Sequence, residues 1–199
     1  MTTLGAAPIA SRRIATARLL LRPTDASDAE HAFEIQSDWD VTRMLSMASF
    51  PPDLDEIRRW FADHPREWAA GEAYRFAVEL RGRLIGVVDI DEVGQAEGEL
   101  GYWFERAAWG QGYASEAAQA AVHFAFHDVG LARLRSGHAV ENTASAKVLL
   151  KLGFRPVDTV QRASRSRGET IARRRYVLSK ADGLPPPQEA PYHPSHSPN

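Results

Sequence analysis

The chain has 199 residues, 44% of them hydrophobic, and carries 26 acidic against 24 basic side chains for a formal net charge of -2. That length suits one domain with a real core, and the charge balance argues against general nucleic-acid affinity. Cysteine is absent, which excludes disulfides, thiolate zinc sites and a cysteine nucleophile.

No apolar run approaches the ~20 residues of a bilayer span. Ser11-Arg12-Arg13 faintly suggests a twin-arginine signal, but Arg18 and Arg22 interrupt the apolar region that export would need. The expectation is a cytoplasmic protein, with no DNA and no membrane partner. Residues 1–15 read as a flexible N-terminus, 16–181 as the folded domain, and 182–199, rich in Pro and His, as a flexible tail.

Arg18-Leu19-Leu20-Leu21-Arg22 predicts a strand, stopped by Pro23. Ser27-Asp28-Ala29-Glu30 has capping-box form and opens a helix with Ala29, Ala32 and Phe33 on one face. A second helix uses Leu54, Ile57, Phe61 and Trp68, with a break or kink expected near Pro65. Tyr74, Phe76, Val78 and Leu80 alternate as in a strand, Arg81-Gly82 makes a turn, and Leu84–Ile90 and Glu99–Phe104 follow as strands.

A long helix after Gly112 stops at Gly130. Leu134, Ser136, His138 and Val140 trace the next strand. Asn142 caps a helix with Ser145, Val148, Leu149 and Leu152 on one face, closed by Gly153. Phe154–Val160 and Arg173–Leu178 close the fold as a strand pair. Consecutive central strands imply antiparallel pairing, whereas the helix after Gly112 crosses between two parallel strands. The fold class is therefore α/β of the α+β kind: a mixed, mostly antiparallel sheet of about seven strands with helices on both faces.

Trp109-Gly110-Gln111-Gly112-Tyr113-Ala114-Ser115 lies between the strand at Glu99–Phe104 and the long helix. A glycine loop feeding a helix N-terminus gathers backbone N–H groups around an anion. A phosphate or pyrophosphate is the expected guest.

Four segments resemble the GCN5-related N-acetyltransferases (GNAT), in particular their RimJ/RimL-like branch. They are Thr16–Arg22, Gly101-Tyr102-Trp103-Phe104, Trp109–Ala117, and Asn142-Thr143-Ala144-Ser145 extended by Leu149-Leu150-Lys151-Leu152-Gly153-Phe154. One departure is Ala107, where the superfamily often has Gln or Arg. The resemblance implies acetyl-CoA as cosubstrate and an amine acceptor that is either a small molecule or a protein N-terminus; the three-residue spacing of His193 and His196 in the tail is weak for metal binding, and no metal is expected. A homodimer is compatible with it. It also implies a splay between the fourth and fifth strands of that count, Glu99–Phe104 and Leu134–Val140. The pantetheine arm would fill the splay and the pyrophosphate would rest on Gln111–Ser115.

The resemblance assigns cofactor contacts to backbone groups at Trp103 and Phe104, to Trp109–Ser115 and to the Asn142 side chain. Lys147 reads either as a phosphate contact or as a solvated lysine. Trp109 and Tyr113 also read as core-packing residues. The resemblance places the Ser145 hydroxyl at the CoA sulfur, to help protonate the leaving thiolate; by its helix position alone it reads as a plain helix serine. Two candidates stand for handling the amine proton: Glu99, at the start of its strand, and His138, across the splay. Asp89 and Asp91 share a strand face and suit a cationic acceptor, or form a polar strand end. Arg162–Arg175 is strongly basic and reads first as a solvated hairpin. A different class of function, an acyl-CoA-binding sensor or scaffold without turnover, fits the same cofactor loop.

Overall fold

The computed structural model describes residues 12–183. Eight strands form one sheet in the order β1-β2-β3-β4-β5-β6-β8-β7. The strands are β1 (Ile14–Ala15), β2 (Leu20–Pro23), β3 (Tyr74–Leu80), β4 (Arg83–Asp91), β5 (Glu97–Phe104), β6 (Arg133–Ala139), β7 (Arg155–Ser164) and β8 (Glu169–Ser179). The helices are α1 (Ala29–Gln36), α2 (Trp39–Thr42), α3 (Leu54–Ala70), α4 (Tyr113–Phe124) and α5 (Thr143–Lys151). The sheet is mixed and mostly antiparallel, as expected, with one strand more than the seven counted from sequence. The addition is β1, which pairs Ile14 with Leu21 and Ala15 with Leu20. The rest of the expected N-terminal and C-terminal tails, 1–11 and 184–199, lies outside the described residues.

Alternation along the strands sorts the core into two layers. Phe76, Val78, Val88, Ile90, Leu100 and Phe104 pack with α4 and α5 on one face. Ala77, Val87 and Trp103 pack with α1 and α3 on the other. Trp68, Phe76 and Phe124 lock the first layer edge to face, with Phe76 centred 4.9 Å from Trp68 and 5.1 Å from Phe124.

Local signals differ from expectation in two places. The N-terminal capping box uses Asp25 and Asp28 rather than Ser27 and Glu30. Asp28 thereby also reaches Arg22 at 2.7 Å, tying the cap to β2. Helix α3 runs on through Pro65 to Ala70. The long helix ends in a wider turn over Ala125–Val129 before Gly130. Among the described residues, no helix is long and apolar enough to cross a membrane.

All neighbouring strands except β5 and β6 are antiparallel. Strands β5 and β6 run parallel, and their ladder covers only Glu97–Arg133, Gly98–Leu134 and Glu99–Arg135. Beyond Glu99 the strands part, although Ser136 Oγ still donates to Leu100 O at 2.8 Å. Strand β6 instead pairs along its whole length with β8. This is the splay expected between Glu99–Phe104 and Leu134–Val140.

Candidate active site

The open flank of β5 leads straight into the glycine loop. Gly110 and Gly112 adopt φ of +74° and +81°, a left-handed conformation that costs other residues ~1 kcal/mol or more. Gly112 is the N-cap of α4 and supplies no side-chain acceptor. The first helical bond runs from Glu116 N–H to Gly112 O. The N–H groups of Tyr113, Ala114 and Ser115 therefore have no acceptor inside the helix. They face the loop end together, where the helix dipole adds partial positive charge.

Side chains fix this loop from both sides. Arg18 donates to Gln111 O at 2.9 Å and to Glu116 at 2.7 Å. Its guanidinium lies 4.5 Å from the Tyr113 ring centre. Glu116 also accepts from Thr16 Oγ1 at 2.6 Å and from Arg18 N–H at 2.8 Å. Gln111 Nε2 donates to Ala107 O, so the residue that departs from the family pattern contributes through its backbone. Trp109 Nε1 donates to Phe104 O at 3.0 Å. The Trp109 ring itself is 46% exposed, so it borders the site rather than filling the core. Tyr113 is half-buried and packs against the main core.

Across the splay, Asn142 caps α5 as expected, its Oδ1 accepting from Ser145 N–H at 3.0 Å. Its amide nitrogen keeps its donors. Ser145 Oγ lies 2.8 Å from Tyr102 Oη on β5, and Tyr102 also donates to Ser145 O. This pair spans the gap between β5 and α5. Burial pushes the Tyr102 phenol above its ordinary value, so the hydroxyl stays protonated. Sequence reasoning quoted Tyr102 only as part of the family segment. Its period-two partners Leu100 and Phe104 face α4 and α5, and that alternation is the signal that places it near Ser145. Lys147 is exposed on α5.

The two proton-handling candidates sit in different settings. Glu99, half-buried, is ion-paired to Arg173 on β8. His138 is buried; its Nδ1 lies 2.8 Å from Ala139 O and its Nε2 3.2 Å from Tyr176 Oη. Burial lowers its pKa, which favours the neutral ring. With Nδ1–H on Ala139 O, the Nε2 lone pair faces the Tyr176 hydroxyl. Glu99, His138, Trp103, Asp89 and Asp91 all border one cavity of about 700 Å³ on the α1–α3 side of the sheet. Ser145 lies outside that lining, on the α5 side.

The loop after α2 and the β7–β8 turn roof this cavity. Arg165 N–H donates to Ser46 O, Ser166 Oγ to Leu45 O, and Arg167 Nε to Arg43 O at 2.8 Å. Within the basic Arg162–Arg175 segment, Arg165, Arg167, Arg173 and Arg175 are ion-paired to Glu56, Glu141, Glu99 and Asp158. Much of its charge is therefore spent inside the molecule. Among the described residues, no group of three or more His, Asp or Glu side chains is arranged to hold a metal ion.

Comparison with known proteins bears on the same elements. A family model, the acetyltransferase (GNAT) domain, matches residues 18–155. An uncharacterized N-acetyltransferase, p20 of Bacillus licheniformis, is 29% identical over 160 residues, 78% of this chain and 89% of that protein. The ribosomal-protein-serine acetyltransferase of Escherichia coli K12 is 33% identical over 116 residues, 57% of this chain and 65% of that protein. RimJ of Mycobacterium smegmatis, solved with a CoA-disulfide, superposes with a TM-score of 0.77 at 22% identity, covering 87% of this chain and 90% of that one. The chain thus belongs to the GNAT acetyltransferase family and is an acetyl-CoA-dependent N-acetyltransferase.

Proposed function

We propose that this enzyme moves the acetyl group of acetyl-CoA directly onto a primary amine, either a protein N-terminal amine or a small-molecule amine. One observation carries the reading. The β5–β6 ladder stops at Glu99, and the freed flank of β5 runs into a glycine-capped helix N-terminus. A thioester carrier with a diphosphate has those two needs: an open strand edge for its arm and clustered N–H groups for its anion. The name of the E. coli relative, a ribosomal-protein-serine acetyltransferase, favours a protein acceptor.

In this reading the N–H groups of Gln111–Ser115 hold the diphosphate, and Arg18 keeps their carbonyls and helix end in place. Backbone groups of Trp103 and Phe104 line the pantetheine arm, and an amide near Phe104 polarises the thioester oxygen. Asn142 turns its free amide donors toward the same arm. Acetyl-CoA supplies the activated acyl group; positioning supplies much of the acceleration. Ser145 Oγ holds a proton for the departing thiolate, and Tyr102 Oη stands behind it to replace that proton.

The test is thiol release from acetyl-CoA across a panel of peptides with free N-termini, polyamines, amino acids and aminoglycosides. Amine-dependent release, with mass-spectrometric gain of one acetyl group on the amine nitrogen, is the expected result. Tight acetyl-CoA binding without release on any amine would overturn direct transfer to amines. No binding at all would overturn the donor placement.

A further inference from the structure

The cavity beside β4 and β5 has an unusual electrostatic floor. Nearly every carboxylate lining it is held by an arginine. Glu67 and Asp91 share Arg75, and Glu99 holds Arg173. Glu56, Glu72 and Glu92, nearer the rim, hold Arg165, Arg66 and Arg135. Asp89 is the exception: among the described residues it has no ion-pair partner, although it is only 7% exposed. A carboxylate taken out of water is costly; Arg75, opposite it on β3, attracts it but is bonded to Glu67 and Asp91, so Asp89 lacks a cation of its own.

Its position is equally specific. Asp89 on β4 sits opposite Gly101 on β5. A methyl group at Gly101 would come within 2.3 Å of Asp89 Oδ1. The missing side chain leaves room for the carboxyl to lie across β5, two residues beyond the last rung shared with β6. Gly101 N–H also supports the carboxyl as a hydrogen-bond donor. Other charged groups facing it are committed elsewhere: Arg75 from β3, Glu67 from α3, Asp91 from β4, Glu99 from β5 and Arg173 from β8.

We propose that Asp89 pairs with the ammonium group of the acceptor and takes one of its protons before the nitrogen attacks. The proposal rests on the reading that the open edge of β5 presents the acetyl group. The balance is complete. The ammonium gives one proton to the Asp89 carboxylate and becomes a neutral amine. Its lone pair forms the C–N bond while the C–S bond breaks. Ser145 passes its proton to the thiolate and regains one from Tyr102, the amine's second proton restores Tyr102 by way of solvent, and Asp89 later returns its own to solvent. Burial, reinforced by the neighbouring Asp91 charge and opposed by Arg75, raises the Asp89 pKa well above the ordinary carboxylate range. Glu99 is less suited, since Arg173 already neutralises it.

The experiment compares wild type and Asp89→Asn in thiol release. It uses the most active amine of the panel and, separately, hydroxylamine, which is largely uncharged at neutral pH. For the cationic amine, the substitution is expected to lower kcat/KM by on the order of 100-fold. The acid limb of its pH profile should move up to the amine's own pKa. Hydroxylamine-dependent release should stay within about twofold, because that nucleophile arrives without the extra proton. Acetyl-CoA affinity, measured by calorimetry, should not change. Equal losses with both nucleophiles, or an unmoved acid limb, would overturn the role of Asp89. Failure of the donor placement shows separately, as unaltered acetyl-CoA affinity in Gly112→Asp. If Asp89→Asn does not fold, the wild-type profile decides. An acid limb below the free amine's pKa supports the proposal, and one coinciding with it refutes it.

Discussion

Gly112→Asp, set beside Gly112→Ala, separates backbone strain from charge at the anion cradle. The position has φ +81° and ψ 0°, and an added Cβ would meet only Arg18 Nη2 at 3.4 Å. Crowding is therefore minor, and alanine pays chiefly for the left-handed backbone, ~1 kcal/mol. For a domain of this size that lowers Tm by roughly 2–4 °C. Aspartate adds a charge near the bound diphosphate. At about 5 Å and an effective dielectric near 20, one like-charge pair costs ~3 kcal/mol. The adjacent Arg18 guanidinium and salt offset part of it, leaving about 2 kcal/mol, or roughly 30-fold in affinity. Calorimetric titration of CoA into both variants reads the difference. Alanine should bind within a few-fold of wild type. Aspartate should bind about 30-fold more weakly, and its deficit should shrink as salt is added. A folded Gly112→Asp protein with wild-type CoA affinity would refute the loop as the diphosphate site.

Ser145→Ala should slow single-turnover acetyl transfer by ~10-fold or more while CoA affinity moves little; equal single-turnover rates would remove Ser145 from the chemistry. Tyr102→Phe keeps the ring but removes the hydroxyl 2.8 Å from Ser145 Oγ, and a smaller slowing, about fivefold for a lost net hydrogen bond, is expected in the same assay. Burial lowers His64 from 6.5 to about 3. The unfolded chain thus binds this proton first on acidification, so folding stability contributed by the neutral ring falls as pH drops from 6.5 toward 3. His64→Phe retains the aromatic packing with Trp60 and Phe61, and its Tm should decline less over that range than the wild type's. Arg167→Ala removes the donor to Arg43 O and the ion pair to Glu141. Faster amide exchange over 44–49 and a raised acceptor KM, with unchanged CoA affinity, are the expected results.

The sequence was most informative where chemistry is local. Asn142 followed by Thr-Ala-Ser predicted a cap, and the observed bond goes to Ser145 N–H. Glycines one residue apart before an alanine-rich run predicted a tight loop feeding a helix, and Gly112 is the N-cap of α4. The apolar run Glu99–Phe104 predicted a strand, and β5 covers it. What stayed hidden was assembled from distant segments. Strand β1 has two residues and no period to detect. The capping box formed is Asp25 with Asp28 rather than the Ser27–Glu30 form read from sequence, and Arg22 reaches Asp28 from β2. Arg18 stood in a quoted segment, yet its grip on Gln111 and Glu116 depends on β2 lying beside α4. The basic segment looked uniform in one dimension, whereas folding brings separate carboxylates to four of its arginines.

The carboxylate of Glu116 gathers Thr16 Oγ1, the Arg18 amide and the Arg18 side chain at a single point. The leading arm of the domain is thus moored to the very turn whose N–H groups we propose to hold the diphosphate. Whatever steadies that turn also steadies the arm, and the dependence runs equally in the other direction. With the diphosphate seated on that turn as proposed, protease cleavage at Ala15–Ala17 should slow as coenzyme A is added, with no acceptor in the tube.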